Sequence, residues 1–201
     1  MWRSAVQAFI GLGSNLGDRA ANLARARLLL GRRGVAIIAR SSIYRTEPVG
    51  DVAQGEFLNQ VVGCAWRGTP LALLQTCLEV ERAMGRVRAV PGGPRNIDLD
   101  LLLCGARRVS GPGIELPHPR LHLRRFVLAP LAEIAPRARH PLLGGTAAAL
   151  LAACPDRGRV QRVGPVRERR DLAEYPDRPA ARAIAPPKTG VYNADLARGR
   201  T

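Results

Sequence analysis

The sequence predicts an α+β fold, a ferredoxin-like βαββαβ sandwich with additional C-terminal elements. Three observations predict it. Four apolar, strand-like runs alternate with two helix-patterned segments in that order. Both helical segments carry start and stop residues at their ends. The repeated strand–helix–strand order of a parallel sheet is missing, so the two helices are expected to lie on one face of an antiparallel sheet with the other face open.

The elements follow in order. Residues 6–12 are an apolar run that reads as a buried strand, closed by the loop Gly13-Ser14-Asn15-Leu16-Gly17. Asp18 opens an Ala/Leu/Arg segment whose apolar positions 23, 26, 29 and 30 share one helical face, to about Arg33, and Gly34 stops it. Residues 35–44 are β-branched and apolar, a second strand. Pro48, Gly50 and Gly55 mark the loop over residues 46–56, and residues 57–66 form a third strand. Thr69-Pro70 supplies an N-cap followed by proline at the first helical position. That helix runs to about Met84 on a core stripe of Leu71, Leu74 and Leu78, with Gly85 as its stop. Residues 85–96 are a Gly/Pro/Arg loop, and residues 97–103 a fourth strand.

Beyond it, residues 106–154 hold a Pro/His/Arg-rich stretch and a short Ala/Leu helix near residues 146–154. From Pro155 onward proline and arginine punctuate the chain and apolar periodicity fails. The expected organisation is one domain over residues 1–154 and a basic, disordered tail over residues 155–201.

The formal charge is +15, and 30 of the 31 basic residues are arginine. The tail contributes a net +5 and the remainder +10, so the folded part is basic in its own right and suits an anionic partner. Cys64, Cys77, Cys104 and Cys154 are widely spaced with no CxxC, which predicts buried free thiols in a reducing compartment. The N-terminal apolar run is too short for a signal peptide, and no stretch reaches the roughly 18 apolar residues of a membrane span. A cytoplasmic protein without membrane contact is expected.

The chemistry centres on residues 92–105, GGPRNIDLDLLLCG. On a strand, residues i and i+2 share a face. Asp98 and Asp100 therefore project side by side, with Ile97, Leu99, Leu101 and Leu103 turned into the core. Adjacent carboxylates repel, and a hard cation offsets the repulsion; Mg²⁺ commonly sits on one or two carboxylates plus substrate phosphates. An edge strand with one wet face is the plainer reading of the same spacing. The loop bearing Arg86, Arg88 and Arg95 suits a phosphate lid, glycine-hinged with cationic forks, or else a solvated connection.

Glu81 extends the second helix's stripe by three residues from Leu78, either as an exposed helix-end acid or as one aimed at a site beside the sheet. Phe57 with Asn59, and Phe126, would suit a flat heterocycle: rings for its faces and an amide for its edge. As core residues they need no such explanation. GLGSNLG has the spacing GxGxxxG, a weak match to a dinucleotide fingerprint, and the second strand ends in Arg40-Ser41-Ser42 rather than a ribose-binding acid. His118 and His122 lie four apart without HExxH, which disfavours zinc. His118 beside Arg124 fits a nucleotide contact or a plain solvent-exposed histidine.

Taken together, six ordered motifs resemble the 6-hydroxymethyl-7,8-dihydropterin pyrophosphokinase family over roughly residues 8–136: IGLGSNLGD, SSIYRTEPVG, FLNQVV, VERAMGRVR, GPRNIDLDLLLCG and LPHPRLHLRRFVLAPLAEIAP. The resemblance implies a ferredoxin-like fold and Mg²⁺-dependent transfer of pyrophosphate from ATP to the pterin hydroxymethyl group, releasing AMP, in folate biosynthesis. It assigns Asp98 and Asp100 to two Mg²⁺ ions and makes Arg86 and Arg95 catalytic clamps on the phosphates. On the ATP side it adds Glu81, Arg88, Leu101, His118 and Arg124. On the pterin side it implies Thr46, Glu47, Val49, Phe57, Asn59 and Phe126. One departure stands out: where family members often carry a basic residue and a tryptophan before Gly-Pro-Arg, this chain reads Val90-Pro91-Gly92.

Two alternatives stand beside this reading. A basic ferredoxin-like RNA-binding module shares the βαββαβ order, but Phe57-Leu58-Asn59-Gln60-Val61-Val62 lacks the ring-rich pattern such modules place on that strand. An inactive paralogue that only binds pterin is the other. The expected partners are therefore the small molecules ATP and 6-hydroxymethyl-7,8-dihydropterin, acting on a monomer, with nucleic acid disfavoured.

Overall fold

The computed structural model describes residues 5–50, 52–86 and 92–164. In chain order it contains β1 (Val6–Ser14), α1 (Arg19–Arg32), β2 (Ala36–Arg40), β3 (Tyr44–Thr46), β4 (Phe57–Trp66), α2 (Pro70–Ala83) and β5 (Asp98–Cys104). There follow a hairpin of β6 (Val109–Gly111) and β7 (Ile114–Leu116), a single 3₁₀ turn at Leu121–Leu123, α3 (Arg125–Ile134), α4 (Ala147–Ala153) and β8 (Val160–Arg162). The main sheet runs β5-β1-β4-β3-β8, with β2 also paired to β4, and every described pairing is antiparallel. This is an α+β fold.

Local chemistry sets the helix starts as expected. The Asp18 carboxylate accepts the Ala21 N–H at 3.0 Å, and the Thr69 hydroxyl accepts the Ala72 N–H at 3.1 Å ahead of Pro70. Gly85 takes a φ of 76° just past α2, a left-handed conformation that favours glycine. β4 is buried along its first eight residues, which is why they are apolar apart from Asn59 and Gln60.

Four expectations need correction. The second strand over residues 35–44 is two strands. Ser41 interrupts it: its hydroxyl accepts the Val61 N–H at 3.0 Å, replacing a ladder contact with a side-chain one. The buried stripe of α2 is Leu73, Cys77, Val80 and Glu81, continued by Met84; Leu71 is 46% exposed. A register shift in the β1–β5 pairing turns Leu103 to the same side as Leu102, away from Leu99 and Leu101. The second sheet face is not open: α3 and α4 cover part of it, packing Val127, Leu128, Leu131 and Ala147 on Phe9, Val61 and Leu102. α1 and α2 pack the first face, where Ile10, Leu23, Leu30 and Leu73 are fully buried. Each such side chain contributes about 1.5–3 kcal/mol.

The boundary at residue 154 also shifts. Residues 155–164 belong to the fold, because Val160–Arg162 pairs with Tyr44–Thr46 as β8. The rest of the expected tail, residues 165–201, lies outside the described residues. All four cysteines are free and buried, and burial pushes the Cys64 thiol up to about 12. Among the described residues no helix is long and apolar enough to cross a membrane.

Candidate active site

β5 lies at one edge of the sheet path and carries the two aspartates into a cleft of about 870 Å³. Their partners on β1 are both glycines: Gly11 opposes Asp100 and Gly13 opposes Asp98. No β1 side chain therefore crowds the carboxylates. At Gly13 the need is steric, since a Cβ there would meet Asn59 Oδ1 at 2.8 Å. The GLGSN segment that resembles a dinucleotide loop is instead the floor of this cleft, contributing Gly11, Leu12 and Gly13.

Asp98 is gripped by two arginines. Arg95 Nη2 stands 2.8 Å from Oδ2, and Arg86 Nη1 contacts Oδ1. Burial opposes the charge of Asp98, but these guanidiniums outweigh it and hold the carboxyl below the ordinary carboxylate range. Asp100 is freer: Arg124 Nη1 lies 3.6 Å and His118 Nε2 3.9 Å from its Oδ2, and its side chain is 36% exposed. His118 Nδ1 accepts the Arg120 N–H at 3.2 Å, which leaves the proton on Nε2. Burial lowers the His118 pKa against the pull of Asp100, and the positive charge of Arg124 adds to that lowering.

The loop carrying Arg95 is held from the β1 end. Asn15 Oδ1 accepts the Arg95 N–H at 2.7 Å, and the Asn15 N–H donates to the Arg95 carbonyl at 3.1 Å. Asn15 Nδ2 also donates to Gln54 Oε1 at 2.9 Å, while Gln54 Nε2 donates to the Gly92 carbonyl at 3.0 Å. Sequence reasoning missed Asn15 and Gln54. An asparagine inside a glycine turn was the available signal for the first, because its side chain readily bonds nearby backbone.

Most of the expected residues converge. Thr46, Glu47, Val49, Phe57, Asn59, Arg86, Arg95, Asp98, Asp100, Leu101, His118, Arg124 and Phe126 all line the cleft. Asn59 Nδ2 donates to Thr46 Oγ1 at 2.7 Å, which orients its amide. The Arg95 guanidinium sits 4.9 Å over the Phe57 ring and that of Arg124 5.5 Å over Phe126. Arg88 lies outside the described residues, as do Val90 and Pro91 of the altered loop. Glu81 does not line the cleft. It is 3% exposed beneath β5, where Oε1 accepts the Leu99 N–H at 2.7 Å and pairs with Arg86. It holds Arg86 and the strand in place.

Among the described residues no group of three or more His, Cys, Asp or Glu could hold a metal by itself. Two carboxylates on one strand face, opening into the cleft, are the donor set of a hard cation completed by substrate oxygens. The residues present fit Mg²⁺ bound together with a polyphosphate, and do not make an all-protein cage.

Comparison with known proteins identifies the family. The profile of the 7,8-dihydro-6-hydroxymethylpterin-pyrophosphokinase family matches residues 9–136. A 2-amino-4-hydroxy-6-hydroxymethyldihydropteridine pyrophosphokinase of Methylorubrum extorquens is 49% identical over 131 residues, 65% of this chain and 83% of the relative. That of Bacillus subtilis is 44% identical over 128 residues, covering 63% and 77%. For the fold alone, the crystal structure of Plasmodium falciparum wild-type HPPK-DHPS with pteroate superposes with a TM-score of 0.60 at 15% identity over 74% of this chain. The match spans 44% of that longer chain. The profile over residues 9–136 and the two bacterial relatives lead to one assignment: the chain belongs to the 7,8-dihydro-6-hydroxymethylpterin-pyrophosphokinase family.

Proposed function

We propose that the cleft around Asp98 and Asp100 is where this chain carries out its family's reaction. That reaction is the ATP-dependent transfer of pyrophosphate to the hydroxymethyl group of 6-hydroxymethyl-7,8-dihydropterin, in folate biosynthesis. The pterin hydroxyl oxygen attacks the β-phosphorus, the bond from that phosphorus to the α–β bridging oxygen breaks, and AMP leaves. Such a transfer needs positioning and charge neutralisation more than covalent help from the protein.

In this reading Asp98 and Asp100 would hold two Mg²⁺ ions together with substrate oxygens. Bound Mg²⁺ would draw charge from the transferred phosphate and ease ionisation of the pterin hydroxyl, so no strong protein base is needed. Arg86 and Arg95 clamp the polyphosphate. Carboxylate and phosphate are interchangeable partners for a guanidinium, so the arginines that neutralise Asp98 are suited to bind the phosphates as well. Arg124 and neutral His118 face the nucleotide, with Leu101 as an apolar contact, and Arg88 is assigned to the same side. Phe57 and Phe126 sandwich the pterin, Asn59 reads its edge, and the backbone at Thr46, Glu47 and Val49 closes the pocket.

The observation that carries the reading is the convergence of Asp98 and Asp100 with Arg86, Arg95, Arg124, Phe57 and Phe126 in one cleft. The strand order β5-β1-β4 followed by β2 and β3, with α1 and α2 on one face, supports reading the βαββαβ part as ferredoxin-like.

The test is to mix the protein with ATP, Mg²⁺ and 6-hydroxymethyl-7,8-dihydropterin and follow AMP by chromatography. The expected result is AMP that requires both pterin and metal. Pterin binding without AMP would favour the inactive paralogue, and AMP release independent of pterin would contradict the proposal.

A further inference from the structure

Residues 155–164 lie beyond the family match at 9–136, yet they touch both walls of the pterin-side pocket. We infer that Asp156 and Arg159 are positioning residues for that pocket, and that the short segment between them fastens its two walls together. The inference rests on the pterin-side reading above.

The first wall is the segment from Thr46 to Asn59. Arg159 holds its ends. The Arg159 N–H donates to Glu47 Oε2 at 3.2 Å, and its carbonyl accepts the Glu47 N–H at 3.4 Å. Its guanidinium lies 3.5 Å from Glu47 Oε1 through Nε and donates from Nη2 to Glu56 Oε1 at 2.6 Å. Glu56 directly precedes Phe57. β8 continues the attachment, pairing Val160 with Thr46.

The second wall is the start of α3, with Arg124 before it and Phe126 in its first turn. The first N–H groups of a helix have no partner within it. Arg124, at the cap position, makes no capping side-chain bond. Asp156 supplies the partner from outside: its Oδ2 accepts the Arg125 N–H at 2.9 Å. A carboxylate also suits the positive end of the helix. Asp156 Oδ1 accepts the Gly158 N–H at 2.8 Å, which turns the chain toward Arg159. One carboxylate therefore orients Phe126 through its neighbour and sets the approach of the residue that holds Glu47 and Glu56.

A purely stabilising role predicts a different outcome. The Arg159 side chain is 61% exposed, and exposed ion pairs add little to stability. Misplacing a substrate contact by about 1 Å is far more costly to function. Arg162 provides the contrast within the same strand. It ties β8 to Glu133 at 3.2 Å and to the Ser42 hydroxyl at 2.7 Å, and none of these residues lines the cleft.

The experiment compares full-length Asp156→Ala, Asp156→Asn, Arg159→Ala, Arg162→Ala and Phe57→Ala by kcat, the KM of each substrate, and melting temperature. Losing one hydrogen bond to an ordered wall should raise the dihydropterin KM about tenfold in Asp156→Ala and about threefold in Arg159→Ala. The ATP KM should stay within about twofold in Arg159→Ala, whose partners Glu47 and Glu56 lie on the pterin side. Asp156→Asn, whose amide oxygen can still accept the Arg125 N–H, should restore the dihydropterin KM, and Arg162→Ala should leave it unchanged. If Asp156→Ala does not fold, Arg159→Ala carries the test at an exposed side chain. An unchanged dihydropterin KM in the Arg159→Ala and folded Asp156→Ala variants, with a raised one in Phe57→Ala, overturns the inference. So does a parallel change in both KM values that tracks melting temperature. An unchanged dihydropterin KM in Phe57→Ala overturns the pocket reading and this inference together.

Discussion

The two sides of β5 carry opposite chemistry. Leu99 and Leu101 turn to the face packed by α1 and α2, where they are 3% and 5% exposed and also form part of the cleft lining. Asp98 and Asp100, alternating with them, turn to a cleft where two arginines grip one carboxylate and leave the other accessible. One short strand thus packs leucines into the core and presents paired carboxylates to the cleft. The difference shows that the site is built at the cost of local charge crowding, which its neighbours offset. The glycines opposite both aspartates and the buried Glu81 behind Arg86 are part of that offset.

If the two sides are separable, changes on one should leave the other intact. The largest effect is expected from Asp98→Asn or Asp100→Asn, which should nearly abolish turnover while circular dichroism shows an unchanged fold. Wild-type-like rates in either would break the comparison from the cleft side. Arg95→Ala should lower kcat by about 10²–10³, by analogy with loss of one charge-stabilising donor. Single-turnover kinetics should assign that loss to the chemical step, and a change confined to substrate binding would deny Arg95 a transition-state role.

Leu73→Ala tests the core side. It should cost about 2–5 kcal/mol in denaturant unfolding, with turnover per folded molecule nearly unchanged. A selective loss of activity would show that the two sides are coupled.

The smallest effect concerns acid. The folded pKa of Asp98 is lowered from the ordinary 3.8, so its ion pairs contribute stability above that pH and lose it as pH falls below 3.8 toward the folded value. In urea unfolding, the stability difference between wild type and Asp98→Asn should therefore narrow as the medium is acidified through that range. A difference independent of pH would remove the ion pairs from the account.

How far the sequence reveals each side follows from the same contrast. The aspartate pair was legible because a strand's period of two is strict, and Phe57–Trp66 was legible because it is buried along most of its length. The stripe of α2 was not. Leu71, Leu74 and Leu78 fit helical periodicity as well as Leu73, Cys77, Val80 and Met84 do, and periodicity cannot say which faces the sheet. Leu74 is half-buried against the core, and both it and Leu78 also line the cleft. Leu103 was misplaced because a β-bulge leaves no mark in an apolar run. Arg159 and β8 were invisible because their partners Glu47, Glu56 and Tyr44–Thr46 lie far away in sequence and the strand itself has three residues. Glu81 was recognised as special, but its bond to the Leu99 N–H depends on how α2 meets β5.

The most direct test of the central claim is Mn²⁺ binding, measured by electron paramagnetic resonance with a non-hydrolysable ATP analogue, in wild type, Asp98→Asn and Asp100→Asn. The account predicts two ions per wild-type chain and loss of at least one in each folded variant. Two ions bound as tightly in the variants as in wild type would contradict it.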